Sequence, residues 1–215
     1  MTVLFTQSWD VMHGKEDGYS EFVKATLMPA MAAMGLEPVG GYYVEAGFGP
    51  RIVGVHRAHN TEALLRSISS KHFKQLTLQI KSLVSSYRTA VLEPVGRTKR
   101  VEYVIQRGVW KFIQHFDLRV GRERDYADFV INEYIPSVEG LGFVEVTGGW
   151  SVVLGGVSAI MGELTFKDAD DVGRMLHSRE FRRVNLTLQD EFLVNYQNRI
   201  LRCTERFDEP KWFRL

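Results

Sequence analysis

The fold is decided by a stretch that occurs twice: FTQSWDVMHGKEDGYSEFVKATLMPAMAAMG at 5–35 and FIQHFDLRVGRERDYADFVINEYIPSVEGLG at 112–142. A shift of about 107 positions aligns the copies, and glycine, proline and aromatic residues then coincide. The matched pairs are Phe5/Phe112, Gln7/Gln114, Asp10/Asp117, Gly14/Gly121, Glu16/Glu123, Tyr19/Tyr126, Phe22/Phe129, Pro29/Pro136 and Gly35/Gly142. Self-similarity at a fixed period indicates an internal duplication.

The duplication continues beyond these stretches. After a one-residue insertion, RSISSKHFKQLTL at 66–78 aligns with RMLHSREFRRVNL at 174–186, and Tyr87 then corresponds to Tyr196. We therefore divide the chain into repeat 1 (1–97), a linker (98–108), repeat 2 (109–207) and a C-terminal tail (208–215).

Each repeat has the pattern of strand, helix, two strands, helix and strand. Alternating apolar residues predict the first strand, and glycines after the first helix favour a left-handed helix cap. The predicted strands are 3–11, 37–48, 51–58 and 90–95 in repeat 1, and 109–118, 143–154, 157–166 and 199–207 in repeat 2. The second helix of repeat 1 is predicted to begin after Asn60, to break near Ser69 and Ser70, and to continue through Tyr87.

The order βαββαβ is the ferredoxin-like arrangement, of the α+β class. Its sheet carries both helices on one face and leaves the other face bare. Two such sheets in one chain can cover each other, so we predict two tandem ferredoxin-like repeats packed sheet-to-sheet as a pseudo-dimeric α+β barrel. The alternative is that each repeat pairs with the same repeat of another chain.

Composition excludes several classes of function. The 27 basic and 26 acidic residues nearly balance, which argues against nucleic acid or an anionic membrane as a partner. The single cysteine excludes an internal disulfide framework and a multi-cysteine metal site. The first residues lack the features of a signal peptide, and no run of about 18 apolar residues occurs. These observations predict a cytoplasmic protein.

Three features resemble the dimeric α+β barrel superfamily, which includes antibiotic-biosynthesis monooxygenases, haem-degrading monooxygenases and NIPSNAP-like proteins. They are a first strand ending in a glycine turn (VMHGK, LRVGR), a serine–basic–X–Phe element (SSKHF, HSREF), and a helix running into the last strand (NYQNRIL). In the haem branch, the resemblance would place the iron-binding histidine at Thr77 and Asn185. Neither side chain ligates haem iron, so the sequence predicts no haem activity.

Two glutamines are the first candidate catalytic residues. Gln7 and Gln114 each lie on the aromatic face of a first strand, where a buried amide needs hydrogen-bond partners. They are expected either to bond each other or nearby backbone, or to line a cavity between the two sheets and bind a polar group of a small molecule. His56, on the third strand, is the candidate general base if it faces the same cavity.

Six aromatic side chains are candidates for substrate binding, although large aromatic residues in a barrel also serve as core. They are Trp9, Tyr42, Tyr43, Phe116, Trp150 and Phe166.

These residues favour a protein that binds a small apolar or aromatic molecule in the inter-sheet cavity, with no metal and no cofactor. If it is an enzyme, the sequence favours a cofactor-independent monooxygenase, or an isomerase or cyclase, of the kind found in biosynthesis. The alternative is a non-catalytic NIPSNAP-like binding or scaffold protein. A second copy of the chain is a further candidate partner.

Overall fold

The computed structural model describes residues 2–95, 108–204 and 208. Most of the proposed linker and tail therefore lies outside the described residues. The α+β prediction is confirmed. Repeat 1 contains β1 (Val3–Val11), α1 (Glu16–Phe22), α2 (Met28–Ala33), β2 (Glu37–Gly47), β3 (Ile52–Ala58), α3 (Thr61–Ser69), α4 (Lys71–Lys81) and β4 (Val84–Pro94). Repeat 2 contains β5 (Trp110–Leu118), α5 (Glu123–Phe129), α6 (Ile135–Glu139), β6 (Glu145–Gly155), β7 (Ile160–Phe166), α7 (Ala169–His177), α8 (Arg179–Thr187) and β8 (Leu193–Thr204).

The eight strands form one closed antiparallel barrel in the order β1-β3-β2-β8-β5-β7-β6-β4. The last strand of each repeat joins the two halves, because β4 pairs with β6 and β8 pairs with β2. The repeats thus cover each other within one chain, and closure satisfies the strand edges that an open sheet would expose.

A glycine lies at each of the two seams between the repeats. Gly47 faces β8 and Gly155 faces β4, and both have positive φ angles, of 104° and 68°. A Cβ at Gly47 would lie 2.5 Å from the Asn198 carbonyl oxygen, and one at Gly155 would lie 2.2 Å from the Thr89 carbonyl oxygen. Both positions therefore need the backbone freedom and the missing side chain of glycine.

The serine–basic–X–Phe elements start helices. The Ser70 side chain accepts a hydrogen bond from the Phe73 amide, and the Ser178 side chain accepts one from the Phe181 amide. The helix break at Ser69 and Ser70 is confirmed, and Asn60 caps α3 by accepting from the Ala63 amide. The expected continuation of this helix through Tyr87 is wrong, because α4 ends at Lys81 and Tyr87 lies in β4.

One π-helical turn interrupts the first helix of each repeat, at Val23–Leu27 and at Val130–Tyr134. Pro29 and Pro136 follow in the first turn of α2 and α6. Proline has no amide hydrogen to donate to the preceding turn, which accounts for the altered hydrogen-bond ladder. In repeat 2 this turn directs Val130 and Tyr134 toward the sheet, where they line the cavity described below.

The core has three parts. One lies between the sheet and the helices of repeat 1, and a second lies in the same place in repeat 2. The third fills the barrel interior with residues of both repeats, including Leu4, Tyr42, Ile113, Trp150 and Leu201. The expected hollow between the sheets is therefore wrong, because apolar side chains of the described residues pack there, and the two barrel cavities that they line are small, of about 60 and 30 Å³.

Within the described ranges, the structure contains no helix long and apolar enough to cross a membrane.

Candidate functional site

A cavity of about 440 Å³ lies between the helices and the sheet of repeat 2. This volume is in the range of small-molecule sites. Its walls are mainly apolar side chains: Phe116, Leu118, Val130, Ile131, Ile135, Val146, Ile160, Leu164 and Leu188. Ile131 and Val95, 42% and 49% exposed, mark the opening to solvent. An apolar ligand can therefore enter from the helix side and lose its contact with water.

Gln114 is the centre of a polar cluster in the buried wall of the cavity. The Tyr134 hydroxyl donates to Gln114 Oε1 over 2.8 Å. Gln114 Nε2 donates to Asn185 Oδ1 and to the Tyr196 hydroxyl, each over 2.9 Å. Both amide hydrogens are used, and the remaining lone pair on Oε1 can accept from a ligand.

Burial keeps the tyrosines of the site protonated. It raises the pKa of Tyr134, helped by Tyr196 and opposed by the hydrogen bond with Gln114. Burial also raises the pKa of Tyr126 to about 12. The Tyr126 hydroxyl bonds no other described residue and belongs to the cavity lining, so it can donate to a ligand oxygen. The tyrosines and Gln114 therefore offer neutral hydrogen-bonding groups suited to a hydroxyl or carbonyl.

Repeat 1 fills the corresponding region with larger side chains. Trp9 stands where repeat 2 has Phe116, and Tyr43 where it has Ser151; both are buried. The Trp9 indole donates to the Tyr19 hydroxyl over 3.0 Å and stacks on Tyr87 at 6.2 Å. The side chain of Trp9 thus bridges from α1 to β4. The two copies of the unit have diverged, and the large cavity belongs to repeat 2.

The expected meeting of Gln7, Gln114 and His56 in one cavity is wrong. Gln7 lies under the helices of repeat 1, where its Nε2 donates to the Tyr87 hydroxyl over 2.6 Å. His56 lies on the same side, 6.4 Å from the Phe5 ring, and its counterpart in the cavity wall is Leu164. Side chains alternate along a strand, and these residues alternate toward the helices rather than toward the barrel interior. His56 therefore cannot serve as the base for a ligand in the repeat 2 cavity.

The six aromatic candidates are distributed over all three core regions. Phe116 lines the cavity, whereas Phe166 packs in the core of repeat 2 away from it. Trp9 and Tyr43 belong to the core of repeat 1, and Tyr42 and Trp150 to the barrel interior. Only Gln114 and Phe116 of the nine candidate residues line the cavity.

Sequence reasoning missed Tyr134, Tyr126 and Glu163. Tyr134 corresponds to Leu27 in repeat 1. This replacement of an apolar residue by a polar one between the aligned copies could have pointed to Tyr134 from the sequence. Glu163 is 4% exposed, lines the cavity, and forms an ion pair with Lys111 on the neighbouring strand. Thr147 also donates to Glu163, over 2.7 Å. A basic and an acidic residue on two otherwise apolar strands, at positions two residues out of register (Glu163 faces Ile113), were the signal for this pair.

Replacement of the two glutamines by leucine should separate their roles. Gln114→Leu removes the partner of Tyr134, Asn185 and Tyr196, and we expect it to lower the free energy of unfolding by about 3 kcal/mol. Gln7→Leu removes one bond and also a buried Oε1 that bonds none of the described residues, so we expect a loss within about 1 kcal/mol. Urea denaturation measures both. Equal losses would contradict this assignment.

Two buried histidines should make stability fall in mild acid. Burial lowers the pKa of His56 to about 4, against a smaller opposing effect of the Phe5 backbone. Burial and the charge of Arg199 lower the pKa of His115 to about 3. As the pH falls through about 6.5, the two histidines become protonated in the unfolded chain but stay neutral in the folded protein. Each histidine therefore lowers the free energy of unfolding by about 2 kcal/mol by about pH 5.

The variant His56→Leu, which introduces the residue found at the equivalent position Leu164 of repeat 2, isolates the contribution of His56 to this pH-dependent loss. Urea denaturation at about pH 7 and pH 5 should show a pH-dependent loss smaller by about 2 kcal/mol in the variant than in the wild type. An unchanged loss would show that His56 becomes protonated in the folded state.

The residues at the position that the resemblance gives to the haem ligand do not fit haem. The Asn185 side chain is held by the Gln114 amide, and its repeat 1 counterpart is Thr77. Neither supplies an imidazole or thiolate to iron. In the described part of the chain, no three His, Cys, Asp or Glu side chains are grouped as metal ligands.

Comparison with solved structures shows the fold. A provisionally assigned monooxygenase from Lactobacillus acidophilus matches with a TM-score of 0.60 at 10% identity, over 94% of this chain and 93% of that one. One from Fusobacterium nucleatum matches with a TM-score of 0.61 at 13% identity, over 100% and 98%. An anthrone oxidase-like protein matches with a TM-score of 0.61 at 8% identity, over 94% and 91%. The chain has the dimeric α+β barrel fold. No protein-family model and no curated protein sequence matches it.

Proposed function

We propose that the repeat 2 cavity binds a small aromatic molecule bearing a hydroxyl or carbonyl group. The observation that carries this proposal is the apolar cavity of about 440 Å³ with the Gln114–Tyr134 pair in its buried wall. The apolar walls favour a flat hydrocarbon surface. Gln114 Oε1 accepts from a ligand hydroxyl, or Tyr126 donates to a ligand oxygen, and these bonds fix the orientation of the ring system.

The chemistry we propose is monooxygenation of such a ligand by dioxygen. Support comes from the neighbours of the same fold, two provisionally assigned as monooxygenases and one as anthrone oxidase-like. In an anthrone-type oxidation, a ring methylene loses two hydrogens and gains one oxygen atom from dioxygen, while the other oxygen atom leaves as water. The reaction balances without an added reductant. The protein contributes orientation of the substrate and exclusion of water.

Binding and turnover can be tested separately. Titration with 1-naphthol, followed by protein fluorescence, should saturate at one molecule per chain. Gly162→Leu places a side chain in the cavity and should abolish binding. Gly162→Ala is the matched control, because its Cβ would lie 3.6 Å from Gln114 Oε1, an ordinary contact. Binding that persists in Gly162→Leu would place the ligand elsewhere.

Turnover is measured as oxygen uptake with anthrone under air. We expect one dioxygen consumed per anthrone oxidised, faster than without protein. Tyr134→Phe should lower the rate about tenfold or more, because Gln114 loses the donor that holds it in place. Oxygen uptake that does not exceed the protein-free rate would reject the monooxygenase proposal.

A binding protein without turnover is the second candidate. It is favoured by the internal saturation of the polar cluster, since both Gln114 amide hydrogens already have acceptors in the protein. Saturable binding of 1-naphthol without oxygen uptake would select this candidate.

A further inference from the structure

A second cavity, of about 60 Å³, opens at one end of the barrel and is separate from the repeat 2 cavity. Strands of both repeats contribute to it. Its basic residues are Arg88 on β4, Arg199 on β8 and His115 on β5. Thr6, Ser8 and Thr89 contribute polar groups to the same wall. The site therefore exists only because the two repeats close into one barrel.

Three buried nitrogens at this site lack partners in the part of the chain that the structure describes. His115 is 7% exposed, and both of its ring nitrogens are buried without a hydrogen bond. Arg199 Nε is likewise buried without one. Burying such groups unpaired costs about 1–3 kcal/mol each, more when they are charged, so a ligand that bonds them would be stabilised.

The charge of the site is uncompensated. None of the described residues lining this cavity is a carboxylate. Burial and the nearby charge of Arg88 lower the pKa of Arg199 to about 10, which leaves it protonated at neutral pH. The guanidinium carbon of Arg199 lies 5.5 Å from the centre of the Phe48 ring, within the range of a cation–π interaction. On the deeper side, Glu163 is engaged by Lys111 and Thr147.

We propose that this end of the barrel binds a small oxyanion, either the carboxylate of a short organic acid or inorganic phosphate. The Arg199 guanidinium presents the planar donor set that suits carboxylate and phosphate oxygens. The neutral His115 ring adds one N–H donor, and Arg88 supplies charge at the exposed rim. A cavity of about 60 Å³ holds a small anion but not a nucleotide.

The two candidate ligands differ in whether a hydrocarbon chain is attached to the anionic group: a short organic acid has one, and inorganic phosphate has none. The adjoining cavity of about 30 Å³ shares Thr6, Leu92, Met161 and Arg199 with this site. Its other lining is apolar except for Tyr42 and the Glu163 carboxylate, which is paired with Lys111. An organic acid can extend its hydrocarbon chain into that space, whereas phosphate cannot use it. Butyrate binding more tightly than acetate would identify an organic acid. Phosphate binding more tightly than both would identify the inorganic ion.

The experiment is a titration of the full chain with sodium acetate, butyrate and phosphate, with sodium chloride as the matched control for ionic strength. Isotope-labelled histidine ring signals report on His115, and the melting temperature reports on binding. We expect saturable shifts of the His115 signal and a rise in melting temperature with at least one oxyanion. Arg199→Gln should weaken binding at least about tenfold, and Arg88→Gln by a smaller factor.

Arg66→Gln is the control variant, because Arg66 is an exposed cation paired with Glu62 on α3. It should bind as the wild type does. Arg88 is exposed, so Arg88→Gln keeps the test available if Arg199→Gln fails to fold. No saturable shift with any oxyanion, saturation by chloride alone, or unchanged affinity in both Arg88→Gln and Arg199→Gln would overturn the proposal.

Discussion

The double variant Phe116→Trp/Ser151→Tyr is expected to weaken 1-naphthol binding about 100-fold while the barrel still folds. It gives repeat 2 the residues that repeat 1 has at Trp9 and Tyr43. Both of these are buried in repeat 1 between sheet and helices. Overlap of the new side chains with the ligand costs about 1–3 kcal/mol for each, and each 1.4 kcal/mol is about a factor of ten in affinity.

The reciprocal variant Trp9→Phe/Tyr43→Ser is the control. It makes the opposite changes at the corresponding positions of repeat 1 and leaves every residue of the repeat 2 cavity in place. Its affinity for 1-naphthol should equal that of the wild type, although the enlarged space in repeat 1 should lower its melting temperature. Equal binding by both double variants would show that the ligand does not occupy the repeat 2 cavity.

Lys111→Met is expected to destabilise the protein by about 3–5 kcal/mol, because it leaves the Glu163 carboxylate buried without its cation. Lys111 is 2% exposed, and its ammonium group also lies 5.5 Å from the Tyr42 ring. The lysine methylenes are replaced by a methionine side chain of similar length, so the loss reports mainly on charge. Urea denaturation at about pH 7 measures it.

Removing both charges should recover most of this loss. In Lys111→Met/Glu163→Gln, the glutamine oxygen still accepts from Thr147, and neither of the two positions carries a charge. We expect stability within about 2 kcal/mol of the wild type. If the double variant is as unstable as Lys111→Met alone, then the lysine contributes through packing rather than by neutralising Glu163.

The helix ends could be predicted from the sequence, because the residues that fix them interact with backbone only a few positions away. Gly35 and Gly142 end helices in the left-handed conformation, with φ angles of 77° and 79°. Ser70 and Ser178 start helices through their own side chains. We expected a helix to continue to Tyr87 because the residues around Lys81 and Val84 are compatible with a helix. In the structure the chain from Val84 pairs with β1 and forms a strand instead. Tertiary pairing overrode local pattern there.

The site was harder to predict, because alternation assigns Gln7 and Gln114 to a face without saying what covers that face. That face can pack against the helices or against the opposite sheet. Both surfaces are apolar, and either one would bury an amide equally well. Glutamine also occurs at this position in both repeats, as Gln7 and Gln114, so the sequence does not show which repeat has the cavity. The differences that open one cavity are at Phe116, Ser151 and Tyr134, residues that are distant along the chain.

The sequence alone determined the duplication, the βαββαβ order and the enclosure of two sheets, because periodicity and turn residues are local and occur twice. The tertiary structure alone decided that β4 and β8 cross to the other repeat, that the glutamines face helices, and that Arg88, His115 and Arg199 meet at one end of the barrel. These outcomes depend on which surfaces come together at long range, and a face of a strand is compatible with more than one partner until the barrel closes.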